Sequence, residues 1–232
     1  MSVVMLPIHI TFGQNDRSNN FSCYQWWGKV LLSKPLSKQF KLDAEYQHRR
    51  QNVPNNDANL FEHTTFNCVR LHLFYTPVKN VEFSLVPFAY FRSQPISITS
   101  RVSDIYGSEY RWAVITEITN SFQRWDIKYR VGYESRYMRL NDNKDFNLSG
   151  RFRMRYRVQY NASKKWSLYI FDEVFVNHDF PTVFDQNRIW GGFVFSGIPK
   201  VKLDCGFVNL VRTKGTKNNW ERAFTTTFSY TL

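Results

Sequence analysis

The sequence predicts an all-β fold: a single antiparallel, up-and-down transmembrane β-barrel of about 10–12 strands. Three observations predict it. First, residues 151–160 read Arg-Phe-Arg-Met-Arg-Tyr-Arg-Val-Gln-Tyr. Successive side chains of a strand point to opposite faces. Phe152, Met154, Tyr156, Val158 and Tyr160 therefore share one face, and Arg151, Arg153, Arg155 and Arg157 share the other. A soluble core has no place for such a row of unpaired guanidiniums, and each Arg turned to lipid near the midplane costs roughly 2–4 kcal/mol. A closed sheet with lipid outside and a wet, polar interior satisfies both faces. Second, alternating segments of roughly 9–13 residues recur along the chain. Soluble strands cluster near 5–6 residues, whereas membrane-spanning strands need about 9–11. Third, short and long connections alternate, as in outer-membrane barrels with short periplasmic turns and longer extracellular loops.

Composition agrees with this class. Aromatic residues make up 18% of the chain and charged residues only 22%, yet the net charge is +12. The basic residues are spread over nearly every predicted strand, which argues against a nucleic-acid patch. They fit a lined interior or a surface that meets lipopolysaccharide phosphates. No run of about 18 apolar residues occurs, so no transmembrane helix is expected. Residues 1–14 are apolar and resemble the back half of a secretory signal peptide, with Gly13 before Gln14 as the cut. They lack a basic leading region. The expectation is a truncated signal-peptide remnant at 1–14 and the barrel domain at 15–232, with an ordinary first strand as the alternative for the remnant. Cys23, Cys68 and Cys205 are widely spaced and odd in number, so no disulfide framework or zinc site follows.

The first predicted strand, 23–32, puts Tyr24, Trp26, Val30 and Leu32 on one face, and a turn follows at 33–38. Residues 40–49 alternate Phe40, Leu42, Ala44 and Tyr46 against Lys41, Asp43, Glu45, Gln47 and Arg49. The Pro-, Asn- and Asp-rich segment 52–63 reads as a loop. In 67–75, Val69, Leu71, Leu73 and Tyr75 oppose Cys68, Arg70 and His72. A turn at 76–80 leads to 81–92, where Pro87 predicts a bulge or an edge. After a long loop at 93–108, the strand 109–120 sets Trp112, Val114, Thr116 and Ile118 against Arg111, Ala113, Ile115 and Glu117. Beyond the turn at 121–124, residues 125–137 set Trp125, Ile127, Tyr129, Val131, Tyr133 and Tyr137 against Asp126, Lys128, Arg130, Glu134 and Arg136. The polar loop 141–145 opens the arginine strand, and a turn at 161–165 leads to the strand 166–177. Then come the loop 178–186, strand 188–196, turn 197–199, strand 201–212, loop 213–219 and a last strand, 220–232. About eleven strands result by pattern. Bacterial single-chain barrels have even strand numbers, so either one strand is split or missed in this pattern, or the segment near Met1 or near Ile98 supplies a twelfth.

In the last strand Phe224, Phe228, Tyr230 and Leu232 alternate with Ala223, Thr225, Thr227 and Ser229. That strand is similar to the C-terminal signal read by the barrel-assembly machinery, with Leu232 where a terminal aromatic is usual. The alternation of connections places the C-terminus in the periplasm and the protein in the cell outer membrane.

Three stretches carry a family resemblance: Glu109-Tyr110-Arg111-Trp112, Phe171-Asp172-Glu173-Val174-Phe175-Val176-Asn177 and Phe184-Asp185-Gln186-Asn187-Arg188-Ile189-Trp190-Gly191-Gly192. The hairpin from Trp26 to Glu45 adds to them. Together they resemble an uncharacterised Bacteroidota outer-membrane β-barrel family, a domain of unknown function. The likeness spans most of the chain after Ser22, and the Asp-Gln-Asn-Arg stretch is its most specific part. It implies a barrel in the outer membrane and no particular activity.

The candidate site is the polar interior. Glu45, Arg111, Glu117, Arg130, Glu134, Arg136, Arg151, Arg153, Arg155, Arg157, Glu173 and Arg188 fall on the inward register. Lys41, Asp43, Arg49, Arg70 and Lys128 join them there. Opposite charges across strands stabilise one another, so the acids are expected to thread between the arginines. Such a network either fills the barrel or leaves a narrow path that favours anions, since rings of Arg or Lys select anions. Among His9, His48, His63, His72 and His178, none has a Gly-x-Ser-x-Gly or His-Glu-x-x-His partner. Asp142, Asn143 and Asp145 lack the Gly and Glu of a calcium loop. No catalytic, cofactor or metal residue is assigned. The leading expectation is a non-enzymatic pore, binder or structural barrel. A lipid-modifying outer-membrane enzyme is the alternative, and a soluble basic barrel binding nucleic acid or a small ligand the more distant one. The expected partners are outer-membrane lipid and lipopolysaccharide, the assembly machinery and small anions, with no nucleic acid.

Overall fold

Alternation drives eleven segments into strands: β1 (Ser22–Pro35), β2 (Phe40–Gln51), β3 (His63–Val78), β4 (Val81–Ser93), β5 (Gly107–Phe122), β6 (Trp125–Arg139), β7 (Asn147–Asn161), β8 (Trp166–Asn177), β9 (Phe184–Ile198), β10 (Val201–Lys214) and β11 (Lys217–Thr231). The computed structural model describes residues 22–52, 59–94, 106–139, 144–178, 183–214 and 217–232. Each strand pairs with its sequence neighbour, and β1 pairs with β11, so the sheet closes into an up-and-down barrel. The strands run 12–16 residues, longer than the sequence pattern marks, because pairing continues past the alternating segments.

Eleven strands among the described residues fall within the expected 10–12. The remnant at 1–14 and the segment around Ile98 both lie outside them. With eleven strands of alternating direction, the first and last must point the same way, and β1 pairs with β11 in parallel, from Ser22↔Trp220 to Ser33↔Thr231. The chain therefore enters the barrel at the rim of the longer connections and leaves it at the rim of the short turns. There Leu232 N donates to Ser33 O at 2.9 Å. One expectation fails beside this seam. The connection read as a loop over 213–219 shrinks to two residues between Lys214 and Lys217, which pair with each other. Long and short connections alternate everywhere else.

The outer wall is apolar on every strand. Leu32, Tyr46, Val69, Leu85, Val114, Val131, Met154, Ile170, Phe193, Phe207 and Phe224 are all exposed there. Rings gather toward both rims. Phe40 stacks on Tyr75 (4.8 Å), Trp125 meets Tyr160 (4.8 Å) and Trp166 meets Phe195 (4.7 Å) near the short turns. Tyr110 meets Tyr90 (5.0 Å) and Phe146 (5.6 Å) near the long loops. Polar pairs interrupt the wall where Asn187 donates to Asp172 and where Tyr46 donates to Asn67.

Two local devices shape the inside. Pro87 cannot donate a ladder hydrogen bond, and the β4–β5 register shifts between Val86 and Ala89. The bulge lets Val86 and Ala89 both point inward, while Phe88 stays outside. They join Cys68, Phe91, Ala113 and Ile115 in an apolar plate on the inner wall. Gly192 and Gly206 face each other across β9 and β10. A Cβ on Gly192 would lie 2.8 Å from the Tyr169 hydroxyl, so glycine is what lets Tyr169 reach over β9 to Asp204, at 2.6 Å. A second plate, Trp27, Val208, Leu210 and Ala223, lines the β10–β11 side. The interior is thus not uniformly polar, as alternation alone implied, but carries apolar plates between its charges.

Candidate functional site

A cavity of about 1360 Å³ occupies the barrel. Its lining runs from Lys79 and Asn80 at the short-turn rim to Gln94 and Asp185 at the other. Among the described residues, seventeen Lys and Arg line it against nine Asp and Glu.

Cross-strand register assembles the charges into linked groups. Glu134 faces Arg151 directly across β6 and β7. It binds the Arg151 guanidinium through both Nε and Nη2, and also contacts Arg111 at 3.2 Å and Arg153 at 3.6 Å. Glu173 accepts from Arg153 at 2.7 Å and pairs with Arg188 at 3.7 Å. Glu117 gathers Arg130 (2.7 Å), Arg155 (2.8 Å) and Lys128 (3.5 Å). Glu45 draws Lys29 (3.4 Å) and Arg70 (3.7 Å), and Lys41 pairs with Asp43 (3.5 Å). Arg136 and Arg111 share Glu109, at 2.8 and 2.6 Å. Every member of the sequence-derived network therefore points inward, and all but Arg49 and Arg157 make an ion pair with a described carboxylate. Arg157 instead donates to Gln159 Oε1 at 2.8 Å and stacks on Tyr169, its guanidinium 4.0 Å from the ring centre.

Sequence reasoning missed two kinds of partner. The first is an aromatic ladder. Arg155 lies 5.2 Å from the Phe171 ring, and Arg151 lies 4.6 Å from the Phe175 ring. Phe91 stacks with Arg111 at 4.2 Å, and Trp27 with Arg49 at 3.8 Å. Such contacts are worth about 0.5–2 kcal/mol each, more when desolvated. The signal was present, because Tyr169, Phe171 and Phe175 share the parity of Glu173. The second kind is Glu109 and Asp185, both inside the family-like stretches. Asp185 pairs with Arg151 at 2.6 Å. It occupies a bulge, where the β8–β9 register shifts between Phe175 and Val176, so it escapes alternation.

His9 lies outside the described residues, and the other four histidines make local contacts. His48 bonds Asn67 at 2.8 Å on the outer wall, His63 lies 3.4 Å from Glu62, His72 stacks on Phe74, and His178 meets Phe152. Among the described residues, no group of three or more His, Cys, Asp or Glu is placed to hold a metal ion.

Fold and interior together define the class: a closed eleven-stranded barrel, apolar outside and predominantly basic inside. Residues 24–221 match the family described as Protein of unknown function (DUF2490), and the chain belongs to that family. No curated protein and no solved structure matches it.

Proposed function

We propose that this protein is an outer-membrane barrel whose interior admits small anions, with its C-terminus in the periplasm and no catalytic role. The observation that carries the reading is the rim-to-rim cavity with its excess of Lys and Arg inside an apolar outer wall. A soluble protein rarely exposes a contiguous apolar patch beyond a few hundred Å², whereas every strand here contributes apolar side chains to the outside. The ring clusters near the two rims support interfacial belts, since Tyr and Trp favour that depth. Lipid and lipopolysaccharide are then the surroundings of the outer wall, and the barrel-assembly machinery is the partner during biogenesis.

The electrostatics support anions over cations. Fixed positive charge within a low-dielectric wall lowers the energy of an anion and raises that of a cation. The nine acids are largely engaged by arginines, so the excess stays positive along the path. The test is efflux from liposomes carrying the refolded barrel, comparing an anionic and a cationic dye of similar size. The anionic dye should leave faster. Equal efflux, or faster loss of the cation, would remove the anion reading.

A further inference from the structure

The charge balance is uneven around the cavity. On the β5–β8 side Glu109, Glu117, Glu134 and Glu173 each serve two or more basic groups. On the β1–β2 and β9–β10 side that compensation runs out. Arg49 has no carboxylate within ion-pair distance among the described residues. Its Nη2 reaches Gln47 Oε1 only at 3.4 Å, and its Nε has no acceptor. Arg188 meets Glu173 at a long 3.7 Å, and its Nε also has no acceptor. The nearby Glu221 is already taken: Gln25 Nε2 donates to it at 2.8 Å and Arg212 lies 3.9 Å away.

Aromatic rings, more than acids, hold Arg49 and Arg188 in place. The Arg49 guanidinium lies 3.8 Å from the Trp27 ring centre and 4.2 Å from that of Phe66. Arg188 lies 5.6 Å from Trp27 and 4.6 Å from Phe175. Trp27 is itself fixed, 2% exposed, with its Nε1 donating to Gln25 at 2.6 Å. Rings that pack on the flat faces of a guanidinium leave its edge for hydrogen bonding, and that edge fits two oxygens of one oxyanion. Arg49, Arg188 and Arg212 all line the cavity.

We propose that Arg49 and Arg188, backed by Arg212, form a binding site for a phosphate group. Clustered like charges repel, and an oxyanion of charge near −2 relieves all three at once. A halide neutralises charge but offers no pair of oxygens to the guanidinium forks. The proposal rests on the reading of the interior as open to anions. Free phosphate and a phosphomonoester present the same group, and the experiment takes each separately.

The test is titration calorimetry on the full chain refolded in detergent, in a chloride background, with inorganic phosphate and with glycerol phosphate. Thermal unfolding is followed in parallel, because a ligand that binds only the folded barrel raises its melting temperature. At least one of the two should bind and stabilise the wild type. Arg49→Gln and Arg188→Gln should each weaken binding about tenfold, the factor set by losing roughly 1.4 kcal/mol of charge-assisted hydrogen bonding. Arg188→Lys, which keeps the charge but not the fork, should weaken it as well and serves if a glutamine variant fails to fold. Arg124→Gln, in an exposed turn, should bind like the wild type. No binding of either compound, or unchanged affinity in the Arg49 and Arg188 variants, would overturn the site. Calorimetry needs no current, so a barrel that binds phosphate without conducting refutes the path and keeps the site, and an anion-selective barrel without phosphate binding does the reverse.

Discussion

Glu173 lies between Arg153 at 2.7 Å and Arg188 at 3.7 Å, and its side chain is 2% exposed. Alanine there would take from Arg188 its one carboxylate contact among the described residues and leave Arg153 with only Glu134, at 3.6 Å. Breaking a buried pair costs about 3–5 kcal/mol, and water in the cavity brings the expected loss to the lower end of that range. Glu173→Gln should cost less, since its amide oxygen still accepts from Arg153. Denaturant unfolding of the refolded barrel checks the order, and an alanine variant as stable as the wild type would contradict it. Arg153→Gln, by contrast, removes a charge from a crowded set and should leave stability nearly unchanged. The Glu173–Arg188 contact was legible from sequence, because both share the inward parity on consecutive strands. The Asp185–Arg151 pair was not, because the bulge at Phe175 and Val176 breaks the alternation on which such a reading depends. The stacking of Arg49 on Trp27 was equally hidden. Parity gives a side chain its face but says nothing of which ring a guanidinium covers.

At the scale of the element, β7 puts the two faces to the test. Met154 is 47% exposed on the outer wall, and Arg153 points at Glu173 inside. Met154→Arg or Tyr156→Arg should block assembly, since Arg against lipid costs roughly 2–4 kcal/mol near the midplane. Arg153→Gln should assemble normally. Heat-modifiable gel migration of detergent-extracted protein reads the result, and normal folding of both even-position variants would sink the lipid-facing register. Strand existence and facing were legible throughout because a period of two is a strong local signal. Pro87 even marked the β4 bulge. What local pattern did not carry was closure. Nothing in β1 or β11 alone announces that they pair in parallel, and the expected even count pointed elsewhere. Cysteines at Leu32 and Tyr230, which are register partners across that seam, should cross-link within one chain under mild oxidation of the folded barrel. Absence of the link in correctly folded protein would mean that the seam is open or shifted.

On the scale of the whole molecule, an apolar outside, a basic inside and a rim-to-rim cavity converge on one physical statement: the fixed charge of the lumen is positive. The sequence already tilted that way, with a net charge of +12 spread over the strands. It left the choice between a filled and an open barrel undecided, because side-chain volume inside a barrel depends on strand number and tilt. The cavity of about 1360 Å³ exceeds the roughly 300–1,000 Å³ of ordinary ligand pockets. Beside it the aromatic ladder holds guanidiniums against the inner wall. The most direct test is the reversal potential of the reconstituted barrel in a planar bilayer under a potassium chloride gradient. The charge excess predicts a potential of the sign set by chloride, shrinking as total salt rises because the Debye length falls below about 8 Å beyond physiological ionic strength. A potential of the sign set by potassium, or a bilayer that stays silent with folded protein inserted, would contradict the account.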